Sequence, residues 1–242
     1  MGSGYYAACA GLIARTDALE VSANNLANVN TTGYKAQREY FSSLVSDAAA
    51  NQNPLNRAMN DYGVLGGARV DVAAGNMEHT SGELDLAVEG GAFFEVQTAN
   101  GKRYTRDGNF MLSANRQLQT QSGDAVLSEE GRPITLPTGA VAVSNDGTIS
   151  VDNNVVAKVG LADLKGLQMI PEGANNFSIQ GTARPSTDSS VRQGMLESSN
   201  LSGVAASVGL IILQRHSALL ERALTIFHTE FNKSAADDLP RV

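Results

Sequence analysis

The chain has 242 residues, no Trp, one cysteine, 24 glycines and a net charge of −7. That length holds one large domain or two modest ones. The lone Cys9 excludes an intrachain disulfide, and the acidic balance argues against a nucleic-acid binder, which needs a basic stripe.

Residues 1–14 hold no Lys or Arg, and Gly and Ser interrupt their apolar run, so no cleaved secretory signal is expected. Read at helical spacing, Tyr5, Cys9, Leu12, Thr16, Leu19, Ala23 and Leu26 step by four and three. That row is a heptad seam and predicts a helix of about 40 Å. It runs out in the Asn-rich stretch from Asn24 to Gly33, where side chains that bond local backbone and tolerate left-handed geometry end a helix. Phe41–Gly75 has no clean period, and Ser43–Asn56 reads as a polar connector, mobile before assembly.

From Asn76 to Glu197 the pattern is alternation broken by turns. Leu84–Val88, Phe93–Val96, Ala140–Val143 and Ile149–Val151 read as strands, with hairpin signals at Asn100-Gly101 and Asp146-Gly147. The last stretch is helical again. Ala206, Leu210, Leu213, Ser217, Leu220, Leu224, Phe227 and Phe231 form one row. Val208, Ile211, Ile212, Leu219 and Ile226 form a second, wider than one partner helix can cover. The uncharged run Leu201–Leu213 is too short to span a bilayer, which needs roughly 20 residues.

The expected fold is therefore α+β. Terminal helices over 1–33 and 198–242 form a coiled-coil-like module. A connector covers 34–75, and a central all-β domain of short antiparallel strands covers 76–197. The apolar excess lies at the two ends, so self-assembly is expected before any chemistry.

No enzyme constellation is present in the pattern. His216 and His228 share a helix without the Cys or carboxylate that a metal set requires. His79 lies in a turn-like stretch. Glu83 and Asp85 share one face of an expected strand and read as solvated rather than as a catalytic acid pair. Asp146 with Asp152, Asn153 and Asn154 misses the calcium-loop ligand order. No catalytic residue, metal site or cofactor is expected, and neither a nucleic acid nor a small-molecule substrate. A secreted carbohydrate-binding or adhesive β module with helical ends is the alternative, but such a module should carry an aromatic face, and this β region is aromatic-poor.

The stretch from Ser22 to Lys35, reading Ser-Ala-Asn-Asn-Leu-Ala-Asn-Val-Asn-Thr-Thr-Gly-Tyr-Lys, closely resembles the N-terminal signature of flagellar rod and hook axial proteins. Gly82–Val96 resembles that family's central motif, and Tyr104–Phe110 follows it as in the family. Gln193–Asn200 resembles the entry to its C-terminal helix. Length and a compact β domain are most similar to proximal rod members, with distal rod members next. Ala92 departs from a glycine common in the central motif, and Ala218–Glu221 departs from the usual helix sequence.

The resemblance implies a structural subunit of the basal-body rod, exported through the flagellar type III apparatus without a cleaved signal. It implies a helical tube spanning the periplasm, built with other rod and hook axial proteins and with further copies of the chain, that carries torque from motor to hook. The expected assembly residues are Leu12, Leu19, Ala23, Asn25, Leu26, Asn28 and Asn30 at one end. At the other they are Leu210, Leu213, Leu220, Leu224, Phe227 and Phe231. Asn25, Asn28 and Asn30 have two readings, a plain helix cap and turn, or side chains that also bond neighbouring subunits and fix register. Both end helices are expected to gain their order on assembly, because a heptad helix draws its stability from packing.

Overall fold

The computed structural model describes residues 2–42 and 64–237. The connector read at Ser43–Asn56 lies outside the described residues. So do the side chains of Tyr5, Cys9, Leu224, Phe227, His228 and Phe231.

Helix α1 spans Gly2–Ala27, followed by β1 (Gln37–Ser42), β2 (Val64–Val70), β3 (Met77–His79), β4 (Leu86–Glu89) and β5 (Ala92–Thr98). Then come β6 (Gly101–Thr105), β7 (Phe110–Leu112), β8 (Leu118–Thr120), β9 (Ala125–Val126), β10 (Val141–Val143) and β11 (Thr148–Val151). The last strands are β12 (Asn154–Lys158), β13 (Leu161–Asp163), β14 (Gln168–Pro171), β15 (Asn176–Gln180), β16 (Arg184–Pro185), β17 (Ser190–Gln193) and β18 (Met195–Glu197). Helix α2 closes the chain at Gly203–Asp237. Two compact units result: Met1–Ala27 with Gln37–Arg69 and Ser202–Val242, and Asn28–Ala36 with Val70–Leu201.

In the first unit α1 packs on α2 and on β1. Asn25 ends α1 by acting as a surrogate peptide. Its Oδ1 accepts from the Gln37 amide at 2.9 Å and its Nδ2 donates to the Gln37 carbonyl at 2.8 Å. Ser202 caps α2, its hydroxyl accepting from the Ala205 amide.

The coiled-coil-like module is not what these helices form. Thr16 and Ala23, both on the expected seam, are exposed, and Leu12, Leu19 and Leu26 are only part-buried. Among the described side chains of α1, the buried positions are Gly11, Ala14 and Ala18. A row of Gly and Ala has no side chains long enough to serve as knobs in the holes of a partner helix. Of the expected row of helix α2, the described side chains of Ala206, Leu210, Leu213 and Leu220 are part-buried and that of Ser217 is buried. The second row of α2 faces out: Val208, Ile211, Ile212, Leu219 and Ile226 are all exposed, and Val204, outside the expected row, is exposed with them. By length and composition alone Gly203–Arg222 could cross a membrane. The uncharged run Leu201–Leu213 gave too short a measure, because the apolar pattern continues past Arg215.

The second unit is built on β5, at the centre of an antiparallel sheet ordered β14-β15-β6-β5-β9-β8-β7, with β13 also paired to β5 and β16 to β13. Alternation along β5 serves two cores, since successive strand side chains point to opposite faces. Ala92, Phe94 and Val96 join Leu86, Phe110, Leu118 and Ile134. Phe93 packs with Tyr104, Leu164 and Phe177 on the other side. Both predicted hairpin turns are present, and the β11–β12 turn adds a third. There Asp152 and Asn153 adopt φ of 49° and 65°. Of the residues weighed as a calcium loop, Asp152 and Asn153 form this turn, Asn154 opens β12 and Asp146 lies in the separate β10–β11 turn.

His79 lies in β3 rather than in a turn, and it is exposed. Glu83 and Asp85 precede β4 instead of sharing a strand, and Asp85 accepts from the Thr80 hydroxyl at 2.6 Å. Among the described residues no group of His, Cys, Asp and Glu could hold a metal ion.

Candidate functional site

Three stretches far apart in sequence meet inside the second unit: Thr32–Ala36, Arg106–Gly108 and Glu197–Asn200. Residues Lys35, Arg106 and Glu197 are 1%, 2% and 1% exposed. Ionic side chains buried to this degree need partners for every polar atom.

Glu197 is the centre. Its Oε1 accepts from Lys35 Nζ at 2.7 Å and from the Gly75 amide at 2.7 Å. Its Oε2 accepts from Arg106 NH1 at 3.1 Å. Its backbone carbonyl accepts from the Gly33 amide at 2.7 Å. Lys35 Nζ also donates to the Ala73 carbonyl. Arg106 donates to the Val88 and Gly90 carbonyls, and its guanidinium lies 4.9 Å from the Phe93 ring centroid. Its Nε has no hydrogen-bond partner.

Burial lowers the proton affinity of both cations. Lys35 is held below its ordinary value of 10.5 by desolvation, with the Glu197 hydrogen bond and charge opposing. Arg106 is lowered by the same cause, and Glu197 again opposes. The group is costly to assemble, and removing one member is costlier, since that leaves a buried charge unpaired, typically by about 3–5 kcal/mol.

Asn200 completes the cluster as a second surrogate peptide. Its Oδ1 accepts from the Ala36 amide, and its Nδ2 donates to the Asp71 and Ala73 carbonyls. Gly33 sits at φ 66°, and a Cβ there would overlap the Arg106–Asp107 backbone. Glycine is therefore demanded twice, by conformation and by space. Nearby, Thr32 donates to Asp107 Oδ1 at 2.9 Å, and Asn175 Nδ2 to the Thr32 carbonyl at 2.9 Å.

The arrangement holds no exposed nucleophile and no open pocket; it ties chain segments together. Sequence reasoning quoted these stretches without giving Lys35, Arg106 or Glu197 a role. The available signal was slight: Lys35 and Glu197 are the single charged residues of Ser22–Lys35 and Gln193–Asn200, and Tyr104–Phe110 carries the adjacent pair Arg106 and Asp107.

The residues expected to mediate assembly fall elsewhere. Leu12, Leu19, Leu26, Leu210, Leu213 and Leu220 are part-buried within the helical unit. Asn25 bonds Gln37. Asn28 is part-buried, and its Oδ1 accepts from Thr31 Oγ1 at 3.2 Å. Ala23 and Asn30 are exposed.

Residues 6–35 match the family described as flagella basal body rod protein. Residues 87–151 match the flagellar hook protein FlgE/F/G D1 domain. Over 232 residues the chain is 34% identical to the flagellar basal-body rod protein FlgF of Caulobacter vibrioides, covering 93% of this chain and 92% of that one. It is 31% identical to FlgG of Agrobacterium fabrum, covering 90% and 92%. It is also 31% identical to FlgF of Salmonella typhimurium, covering 85% and 86%. The buried cations Lys35 and Arg106 each fall inside one of the two matched regions. Similarity over about nine-tenths of both chains places the molecule: the chain belongs to the flagellar basal-body rod proteins, structural subunits of the basal body and not enzymes.

Proposed function

We propose that this chain enters the rod through its helical unit, with the exposed row of α2 as the principal contact to further copies and to other rod and hook axial proteins. The observation that carries this reading is the second apolar row. Val204, Val208, Ile211, Ile212, Leu219 and Ile226 are 48–78% exposed along one helix. A continuous apolar stripe of that kind is costly in water and marks an association surface.

The row Leu210, Leu213, Leu220, Leu224, Phe227 and Phe231, with Leu12, Leu19, Ala23 and Leu26 on α1, lines the remainder of the contact. Asn25, Asn28 and Asn30 set the end of α1 that neighbours meet. The assembled tube spans the periplasm, in the proximal rod, and carries torque towards the hook. The subunit reaches it by the flagellar type III export apparatus without a cleaved signal. Its helices gain much of their order on assembly, because among the described side chains of α1 only Gly11, Ala14 and Ala18 are fully buried in the lone subunit.

The test is Ile211→Asp combined with Ile212→Asp, scored by incorporation into isolated basal bodies. These side chains are exposed, so the subunit should fold as before while incorporation is lost. Basal bodies containing the variant at the normal level would sink the assignment. Leu220→Asp is a poorer probe, since Leu220 is part-buried and its loss would also loosen the helical unit.

A further inference from the structure

The pairing pattern of the second unit divides into two kinds. Strands β5 to β15 pair mostly with near neighbours: β5 with β6, β7 with β8, β8 with β9, β10 with β11, β11 with β12 and β14 with β15. Residues 190–200 pair only with distant chain. Strand β17 lies on β4, with Val191 opposite Val88. Strand β18 lies on β3, with Leu196 opposite Glu78. Gln193 donates to the Glu83 and Val141 carbonyls and accepts from the Val143 amide. Glu197 reaches Lys35, 162 residues away, and Arg106, 91 residues away. Asn200 reaches Ala36, 164 residues away.

We propose that residues 190–200 are a closing strap with Glu197 as its latch, and that the second unit folds in two steps, the strap docking last. The segments 28–36 and 70–89 stay open until it does. The reasons are entropic and electrostatic. Loop-closure cost grows with the length of chain enclosed, so the hairpins of β5 to β15 form before contacts spanning most of the chain. Until Glu197 arrives, Lys35 and Arg106 have no carboxylate that bonds them both. A cation without that partner stays in water and holds its own segment out of the core. The desolvation that lowers Lys35 and Arg106 in the closed state acts in the same direction. Asp71 and Asp107 are the other acidic groups close by. Asp71 acts on Lys35 only through its charge, and Asp107 is held by Thr32 and Asn109. The proposal does not depend on which surface docks in the rod.

The experiment is hydrogen exchange on the full chain, in two forms. In refolding with pulse labelling, the Leu118 and Leu127 amides, bonded to Ile134 and Glu95, report the local sheet. The Gly33, Thr80 and Ser198 amides, bonded to Glu197, Gly194 and Asn76, report the strap. Leu118 and Leu127 should gain protection in an earlier phase than Gly33, Thr80 and Ser198. Protection of both sets in a single phase overturns the proposal. In the native state, Glu197→Gln should speed exchange at Gly33 and Gly75 about 100-fold or more while leaving Leu118 and Leu127 within about threefold. Equal acceleration of both sets, or a variant with no protected Leu118, overturns it too, because either result makes the sheet dependent on the strap.

Discussion

Asp107 shows how much a single residue of the cluster costs. Its carboxylate accepts from Thr32 Oγ1 and from the Asn109 amide, yet burial still lifts it above the ordinary 3.8. A carboxyl whose folded value is raised contributes stability that is fully present below the unfolded value and is lost as pH rises through the folded value. At neutral pH the charged form is thus a net cost. Asp107→Asn keeps the Oδ1 acceptor and removes the charge. Thermal melts should show a higher Tm than the parent near neutral pH, with the advantage shrinking as pH falls through the acid range. A lower Tm at neutral pH would mean that the charge itself is needed beside Arg106. Gly33 gives the steric counterpart. Gly33→Ala must strain a left-handed backbone and displace the Arg106–Asp107 chain at once. It should lower stability well beyond the roughly 1 kcal/mol that an ordinary positive-φ glycine is worth.

At the scale of elements, α1 is where packing departs most from pattern. A four-and-three heptad row is anchored by its largest apolar residues, Leu12, Leu19 and Leu26, whereas the helix buries the small positions Gly11, Ala14 and Ala18 off that row. Ala18→Leu should overpack the helical unit and cost about 1–3 kcal/mol, whereas Thr16→Leu, at an exposed seam position, should change stability by less than about 0.5 kcal/mol. Denaturant titrations of the two variants make the comparison, and equal effects would restore the heptad seam. The strands were far more legible. Phe93–Val96, Val141–Val143 and Ile149–Val151 announce themselves by alternation and by the glycine turns between them. The ion latch was illegible for a physical reason. Lys, Arg and Glu are normally solvated, and only a fold that brings positions 35, 106 and 197 together makes them a buried group. Alternation and periodicity report local geometry, so contacts across most of the chain leave no trace in either.

For the whole molecule, the distribution of apolar surface sets behaviour in solution. The β-rich unit hides Phe93 and Phe94 in two cores. Among the described residues, exposed aliphatics are scattered on that unit, at Val72, Val155 and Ile170, but line up as one stripe on α2. The free chain should therefore self-associate as its concentration rises. Val208→Lys with Ile212→Lys should shift sedimentation velocity profiles towards monomer without changing the β-rich circular dichroism. Association unaffected by the pair would place the sticky surface elsewhere.

The bonds between residues 33–36 and 197–200 run in parallel order: the Gly33 amide to the Glu197 carbonyl, the Ala36 amide to the Asn200 side chain. Of the four places where chain crosses into or out of the β-rich unit, the one from α1 lies ahead of the first bond and the one to α2 lies after the second. A pull on those two crossings therefore loads both bonds together, sideways, and does not peel them apart one after another. The Lys35–Glu197 ion pair lies between them and shares that load. The latch is thus a shear joint, the arrangement that resists tension best for a given number of hydrogen bonds.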